Sequence, residues 1–178
     1  MNNLFLFMKT RPLSLLLLAW LVLAGVQVPA HAQATDLSSA QSLPKVDLHI
    51  GKATLHTEVA ATGPQREIGL MHRTQMPDND GMIFLMPHVE TATFWMKNTL
   101  IPLSIAFIDK NGVILEIHDM MAPDPANPVP DNQLPITRSD SDQVAYALET
   151  NLHWFSLNSI KPGDKLDPAP ATLGKPSP

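Results

Sequence analysis

The densest group of side chains that could hold a ligand lies between residues 95 and 99. It contains Trp95, Lys97, Asn98 and Thr99, and Arg73 lies in a neighbouring motif. On a strand, Trp95 and Lys97 would share one face because side chains alternate along the chain. A flat aromatic ring beside amide and cationic donors is typical of sites that hold sugars and carboxylates. The sequence therefore predicts a binding site formed by Arg73, Trp95, Lys97, Asn98, Thr99 and Glu149.

The same residues also admit a purely structural interpretation. Trp95 would cover the core, and Lys97 or Arg73 would pair with a carboxylate such as Asp109 or Glu149. The polar residues after Lys97 would then hydrogen-bond the turn that follows. The sequence leaves both interpretations open.

Carboxylates give a weaker indication of catalysis. Two carboxyl groups within about 5–9 Å of each other can divide general acid and general base work. A hydrolase-type enzyme would bring Glu149 and Asp109 together with Arg73 in one cleft. The chain has no G-x-S-x-G motif, no H-E-x-x-H motif and no phosphate-binding loop. We therefore favour a binding protein over an enzyme and assign no catalytic residue.

Methionine is abundant, and it is accompanied by several histidines. Thioether and imidazole ligands suit Cu(I) where thiolates are absent. Most of the methionines lie in apolar segments and are predicted to fill gaps in the core. The group that would suit copper is His118 with Met120 and Met121. The sequence predicts no metal and no other cofactor.

The elements that must position these residues are short strands. Alternating or continuous apolar residues predict strands at 46–50, 53–57, 82–86, 91–98, 103–107, 113–117, 144–149 and 165–166. A capping box at Thr62 and Gln65 predicts a helix ending near His72 or Arg73, and a second short helix is expected within 151–159. These elements predict a mainly β fold with two short helices, a single compact domain, and a largely antiparallel barrel or sandwich of about seven or eight strands.

Two connections carry strong local signals. Asp109-Lys110-Asn111-Gly112 predicts a hairpin turn, because Gly112 can take the positive φ that such turns need. Five prolines between residues 122 and 135 predict an extended loop, since proline cannot pair in a central strand.

Three segments are similar to a known bacterial and archaeal family: GLMHR at 69–73, GMIFLM at 81–86 and FWMKNTLIPL at 94–103. On these motifs the chain resembles the domain of unknown function 192 family from about Val46 to Leu166. The resemblance implies a compact, mostly β domain and no particular reaction. Family members usually carry Asp where this chain has Ser104, and many have a cysteine pair where this chain has the proline-rich loop.

The N-terminal residues have the pattern of a secretory signal peptide. Lys9 and Arg11 precede an apolar run over 13–26, and Ala30-His31-Ala32 is a small-x-small cleavage pattern. The run is shorter than the roughly 20 residues of a spanning helix. We expect a signal peptide at 1–32, a flexible leader at 33–44, one globular domain at 45–167 and a disordered proline-rich tail at 168–178.

The composition limits the cellular compartments and the classes of binding partner that we expect for this protein. The chain has no cysteine, which excludes disulfides, thiol catalysis and a lipid anchor carried on cysteine. Its 17 acidic residues outnumber its 12 basic ones, and nucleic acid requires clustered cations. We expect a periplasmic or secreted module for a small polar or anionic molecule or a glycan of the cell envelope. We expect no nucleic-acid partner and no stable membrane anchor after cleavage.

Overall fold

The computed structural model of the protein describes residues 39–173. The predicted signal peptide, most of the predicted leader and the last five residues of the predicted tail lie outside the described residues. Among the residues that are described, no helix combines the length and the apolar character needed to cross a membrane.

Strands dominate the described part of the chain, as predicted. Two short α-helices and two single-turn 3-10 helices accompany them. The elements in chain order are β1 (Lys45–Ile50), β2 (Ala53–Ala60), α1 (Gly63–Ile68), β3 (Asp80–Glu90), β4 (Thr93–Trp95), β5 (Leu103–Ile108), β6 (Ile114–Met120), a 3-10 turn (Asp131–Gln133), β7 (Ile136–Arg138), β8 (Val144–Asn151), α2 (Trp154–Leu157), β9 (Leu166–Asp167) and a 3-10 turn (Pro170–Thr172).

Seven of these strands form one curled sheet, a half-barrel, in the order β6-β5-β8-β3-β2-β1-β9. All neighbours in this sheet are antiparallel except β2 and β3, which are parallel and are connected through α1. A single bridge between Val113 and Lys165 links the two edges of the sheet at one end. β4 and β7 form a separate two-stranded sheet. The predicted fold class, a mainly β, largely antiparallel single domain, is confirmed.

The two faces of the curled sheet carry two hydrophobic clusters, because successive side chains of a strand point to opposite faces. One cluster includes Phe84 and Phe107, and the β4–β7 sheet packs on it through Phe94. The other includes Ile83 and Ile108 and is covered by α2. The candidate site lies on the first face.

The first helix begins where the sequence predicts and ends earlier. Thr62 caps it, and its side chain and that of Gln65 form both hydrogen bonds of the capping box. The helix ends at Ile68 because Gly69 takes a positive φ of 50°. A Cβ atom at Gly69 would lie 3.3 Å from the ring of Phe84, so glycine also allows this turn to pack closely on β3.

Two strand predictions differ from the structure at their ends. β3 continues through Pro87 to Glu90 instead of stopping at residue 86. This is possible because its register with β8 shifts after Leu85 and its last residues are exposed, so the missing N–H of proline is tolerated. The strand predicted over 91–98 is limited to Thr93–Trp95, since the chain then turns at Asn98 with a positive φ.

The β5–β6 hairpin is formed as predicted. The carboxylate of Asp109 accepts hydrogen bonds from the backbone N–H groups of Asn111 and Val113, each at 2.8 Å, and Gly112 has a φ of 81°. Partial burial acts to raise the pKa of Asp109, but the hydrogen bonds from Val113 and Asn111 outweigh it and hold that pKa below its usual value. Asp109 therefore stabilises the turn.

The folded contacts extend beyond the predicted bounds of 45–167 at both ends. The Gln41 amide donates to the carbonyls of Gln65 at 2.7 Å and Gly69 at 3.0 Å. At the other end, Pro170 is buried and Leu173 packs against the second cluster. The residues from 41 to 44 therefore pack as part of the domain, because polar groups at the end of α1 and on β2 give them partners.

Candidate functional site

An open cavity of about 350 Å³ lies between the first face of the curled sheet and the β4–β7 sheet. Its size is at the small end of the range of ligand pockets, about 300–1,000 Å³. Most of the wall is apolar. The lining residues are Arg66, Glu67, Ile68, Gly69, Leu70, Met71, Phe84, Met86, Thr93, Phe94, Trp95, Lys97, Thr99, Ile136 and Glu149.

Aromatic rings form one wall and part of the mouth of this cavity. The rings of Phe84 and Phe94 meet edge to face with centroids 5.0 Å apart. Trp95, at the end of β4, lies directly across from Ile136 on β7. Both are large apolar side chains that remain exposed, by 41% and 65% respectively. Such exposure is unusual for tryptophan and is consistent with a binding surface.

Glu149 is the buried acidic residue of the cavity wall. It lies on β8 between Met82 of β3 and Ile105 of β5 in the register of the sheet. The residue is only 4% exposed, and no described group donates a hydrogen bond to its carboxyl or forms an ion pair with it. Burial raises the pKa of Glu149 to about 8. At neutral pH this side chain is therefore protonated, and its carboxyl O–H can donate a hydrogen bond.

Lys97 lies at the rim of the cavity beside Trp95, in the turn that follows β4. Its ammonium group is 5.3 Å from the centroid of the Trp95 ring. It forms an ion pair with Asp131 at 2.5 Å. Asp131 belongs to the proline-rich connection, so this pair fastens that loop to the cavity rim. Neither of the predicted carboxylate partners, Asp109 or Glu149, is the partner of Lys97.

Arg73 is not part of this cavity, contrary to its predicted place beside Glu149. Its guanidinium group donates to both carboxylate oxygens of Glu58, at 2.8 and 2.9 Å, and to the carbonyl of Gln41 at 2.7 Å. Glu58 also accepts the N–H of Leu43 at 2.7 Å. A buried carboxylate requires a counter-charge, and Glu58 therefore engages the arginine on the far side of Met82 from Glu149.

The remaining two predicted site residues follow Lys97 and differ in their surroundings. Thr99 is buried and lines the cavity, and its hydroxyl donates to the carbonyl of Lys97 at 3.2 Å. Asn98 is exposed and lies at a second, smaller hollow of about 170 Å³. Its carbonyl accepts the N–H of His72 at 2.8 Å. Of the six predicted residues, the cavity therefore brings together Trp95, Lys97, Thr99 and Glu149.

The carboxylates and the arginine proposed for hydrolysis do not converge. Asp109 is committed to the hairpin turn and does not line the cavity that holds Glu149. Ser104 is buried; its hydroxyl donates to Asp119 and accepts the N–H of His153 at 2.8 Å. These contacts give Ser104 a structural role between β5, β6 and the turn before α2.

The methionine and histidine group around residue 120 is divided between interior and surface. Met120 is buried in the first cluster, whereas Met121 is exposed. His118 hydrogen-bonds Glu116 at 2.7 Å and packs against the ring of Phe107. Within residues 39–173, no group of three or more histidine, aspartate or glutamate side chains is placed to hold a metal ion.

The sequence did not predict the apolar wall of the cavity. The predicted site residues do not include Met71, Phe84, Met86 or Phe94, all of which line the cavity. A usable signal was present: alternation along GMIFLM places residues 82, 84 and 86 on one face. The same face receives Glu149 once β3 and β8 are paired. That pairing is the information the sequence lacks.

Fold and site together define a small curled-sheet domain with an open pocket that contains a buried acid. The chain belongs to the DUF192 family, described as an uncharacterized ACR, whose family model matches residues 46–168. The resemblance noted from the three sequence motifs is thereby confirmed. No curated protein matches the chain at a significant level.

Two solved structures are similar to this chain over nearly their whole length. One, from Sinorhizobium meliloti 1021, is described as a candidate transcription regulator; it is 32% identical, with a TM-score of 0.62, and the match covers 72% of this chain and 97% of that one. The other, from Novosphingobium aromaticivorans DSM 12444, is of unknown function; it is 30% identical, with a TM-score of 0.63, covering 80% and 99%.

Proposed function

We propose that this domain is a small-molecule binding module and that the cavity beside Glu149 is its binding site. The observation that carries the proposal is a buried carboxyl, without a partner among residues 39–173, at the wall of an open, mostly apolar cavity. Buried polar groups are almost always hydrogen-bonded within the protein. A carboxyl left without a partner at such a surface is therefore well suited to a ligand.

The walls indicate the character of the ligand. Side chains such as Met71, Phe84 and Phe94 favour a compact apolar body, and Glu149 provides one hydrogen-bonding position for a polar head. The sequence favoured a polar or anionic molecule or a glycan. An apolar body with a single polar head fits the cavity better, because most of the lining has no group with which to satisfy further hydroxyl or carboxylate groups.

We place this module outside the cytoplasm, in the periplasm or secreted. The support is the signal-peptide pattern over residues 1–32 and the absence of cysteine. A periplasmic or secreted binding protein would meet its ligand in the cell envelope or the medium.

The proposal is tested by screening a fragment library against the purified protein by nuclear magnetic resonance. Ligands of the cavity should shift the Trp95 indole and the Met71 methyl signals together. Trp95→Ala should weaken the binding of such ligands by about tenfold or more, since aromatic anchors contribute much of the affinity of a small site. Leu157→Ala is the matched control, because Leu157 is exposed and apolar and does not line the cavity.

Two results would contradict the proposal. In the first, no fragment moves the cavity signals of a well-folded protein. In the second, fragments bind Trp95→Ala and wild type with equal affinity while shifting signals elsewhere.

A further inference from the structure

We propose that the polar head recognised at Glu149 is a cation, an ammonium group on an apolar body, and that its binding releases a proton from Glu149 to solvent. This inference rests on the proposed function, because it assigns the ligand class of the same cavity. The alternatives, a neutral or an anionic head group, are outcomes of the experiment below.

The strand neighbours of Glu149 provide no compensation for a negative charge. Met82 and Ile105 flank it in the sheet and are fully buried. Burying an unpaired carboxylate is strongly unfavourable, and a counter-charge in direct contact removes most of that cost. A ligand cation placed in the cavity would be this counter-charge.

The other charged residues of the cavity leave that position vacant for a ligand. Arg66, at the end of α1, donates to the carbonyls of Ala61 at 2.8 Å and Leu85 at 3.1 Å. Lys97, after β4, pairs with Asp131. The remaining charged lining residue, Glu67, is exposed and acidic, and β3 and β7 contribute only apolar side chains to the cavity. No described cation therefore pairs with Glu149.

The aromatic lining also favours an ammonium group. The Phe84 and Phe94 rings and the Trp95 indole line the same cavity as Glu149. Ring faces carry negative potential and attract cations within about 6 Å of the centroid. An anionic head group would meet the negative ring faces, and it could contact Glu149 only while that carboxyl keeps its proton.

The proton balance of binding follows from the two states of Glu149. In the free protein, burial raises its pKa to about 8, so the group is protonated at neutral pH. An ammonium in contact favours the carboxylate and lowers that pKa. The carboxylic acid and the ammonium then become a carboxylate–ammonium pair, and one proton passes to the buffer. Amine affinity should therefore rise by about tenfold per pH unit below the pKa of the free protein.

The experiment is isothermal titration calorimetry with three probes of nearly one shape: phenethylamine, phenethyl alcohol and phenylacetate. Each is titrated at several pH values between 5.5 and 7.5, in buffers of different ionisation enthalpy, so that released protons are counted. The proteins are wild type, Glu149→Gln and the control Glu90→Gln, which removes an exposed carboxyl at the end of β3 that does not line the cavity.

We expect phenethylamine to release about one proton from wild type and to bind at least about tenfold tighter than the alcohol at pH 7.5. Glu149→Gln should abolish the proton release and the preference for the amine while it keeps alcohol binding. Glu90→Gln should behave as wild type. Proton counting on wild type needs no variant, so it tests the inference even if Glu149→Gln folds poorly.

The outcomes separate the two proposals. If the alcohol binds in the cavity and the amine binds no tighter or releases no proton, the cation inference is overturned and the proposed function stands. Tightest binding of phenylacetate overturns it in favour of an anionic head group. If these probes and the fragment library all fail to bind in the cavity, the proposed function and the inference fall together.

Discussion

Two buried glutamates on one face of the curled sheet have opposite surroundings. Glu58 of β2 pairs in register with Met82 of β3, which in turn pairs with Glu149 of β8. The two acids are thus separated by two strand spacings, about 10 Å. Their exposures are nearly equal, at 2% and 4%. Glu58 has an arginine and a backbone N–H as partners, whereas Glu149 has none among the described residues.

The comparison shows that burial alone does not assign a role to a carboxyl. The protein itself supplies the hydrogen-bond donors of Glu58. Through them Glu58 joins β2 to the residues after α1 and to the segment before β1. Glu149 is about as buried, but it has no such partner among the described residues and it borders the cavity. The difference lies in the neighbouring chain segments, since both glutamates lie within the strands of one sheet.

The largest expected effect concerns Glu58, the glutamate that has partners within the protein. Arg73→Ala would leave the carboxylate of Glu58 buried without a counter-charge, and we expect a loss of about 3–5 kcal/mol in the free energy of unfolding, measured with urea. The double variant Glu58→Gln with Arg73→Met should recover part of this loss. If Arg73→Ala lowers the free energy of unfolding by less than about 1 kcal/mol, the ion pair with Arg73 does not account for the difference between Glu58 and Glu149.

The next effect concerns Glu149 and the pH dependence of stability. Its folded pKa of about 8 lies above its ordinary value of 4.5, so the folded state binds the proton more tightly than the unfolded state. This contribution is fully present below pH 4.5 and is lost as the pH rises from there to about 8. We expect wild type to lose on the order of a few kcal/mol over this range, measured by urea unfolding at each pH.

The matched variant for this prediction is Glu149→Gln, which resembles the protonated acid in shape. It should lose much less stability than wild type over the same pH range, whereas Glu58→Gln should be destabilised throughout. Parallel pH profiles for wild type and Glu149→Gln would contradict the comparison, because Glu149 would then not be the titrating group.

The smallest effect concerns Asp109, a carboxyl that has partners but little burial. Its pKa lies below its usual value, so its contribution is present above the unfolded value of 3.8 and is lost as the pH falls through the folded value. We expect Asp109→Ala to cost about 1 kcal/mol at pH 7 through the loss of the turn hydrogen bonds. Thermal unfolding should show this cost shrinking below pH 4, and a cost that does not change with pH would contradict the assignment.

Features that depend on near neighbours in sequence were predictable. The hairpin turn around Asp109 and Gly112, the capping box of Thr62 and Gln65, and the proximity of Trp95 and Lys97 all depend on residues within four positions of each other. Each is determined by local backbone geometry and hydrogen bonding, so the pattern alone predicts it.

Features that depend on distant segments were not predictable from one sequence. Arg73 meets Glu58 across 15 positions because β2 and β3 run parallel and α1 connects them. Lys97 meets Asp131 across 34 positions because the proline-rich connection returns to the cavity rim. The residue types gave several possible carboxylate partners for each cation, and strand order decided between them.

Met82 has a further consequence as the residue that separates the two acids. It is fully buried, and the one described hydrogen bond to its sulfur is a contact with the Gln41 amide at 4.0 Å. A thioether has no proton to pass on, so Met82 provides no hydrogen-bonded path for a proton between Glu149 and the ion pair of Glu58 with Arg73.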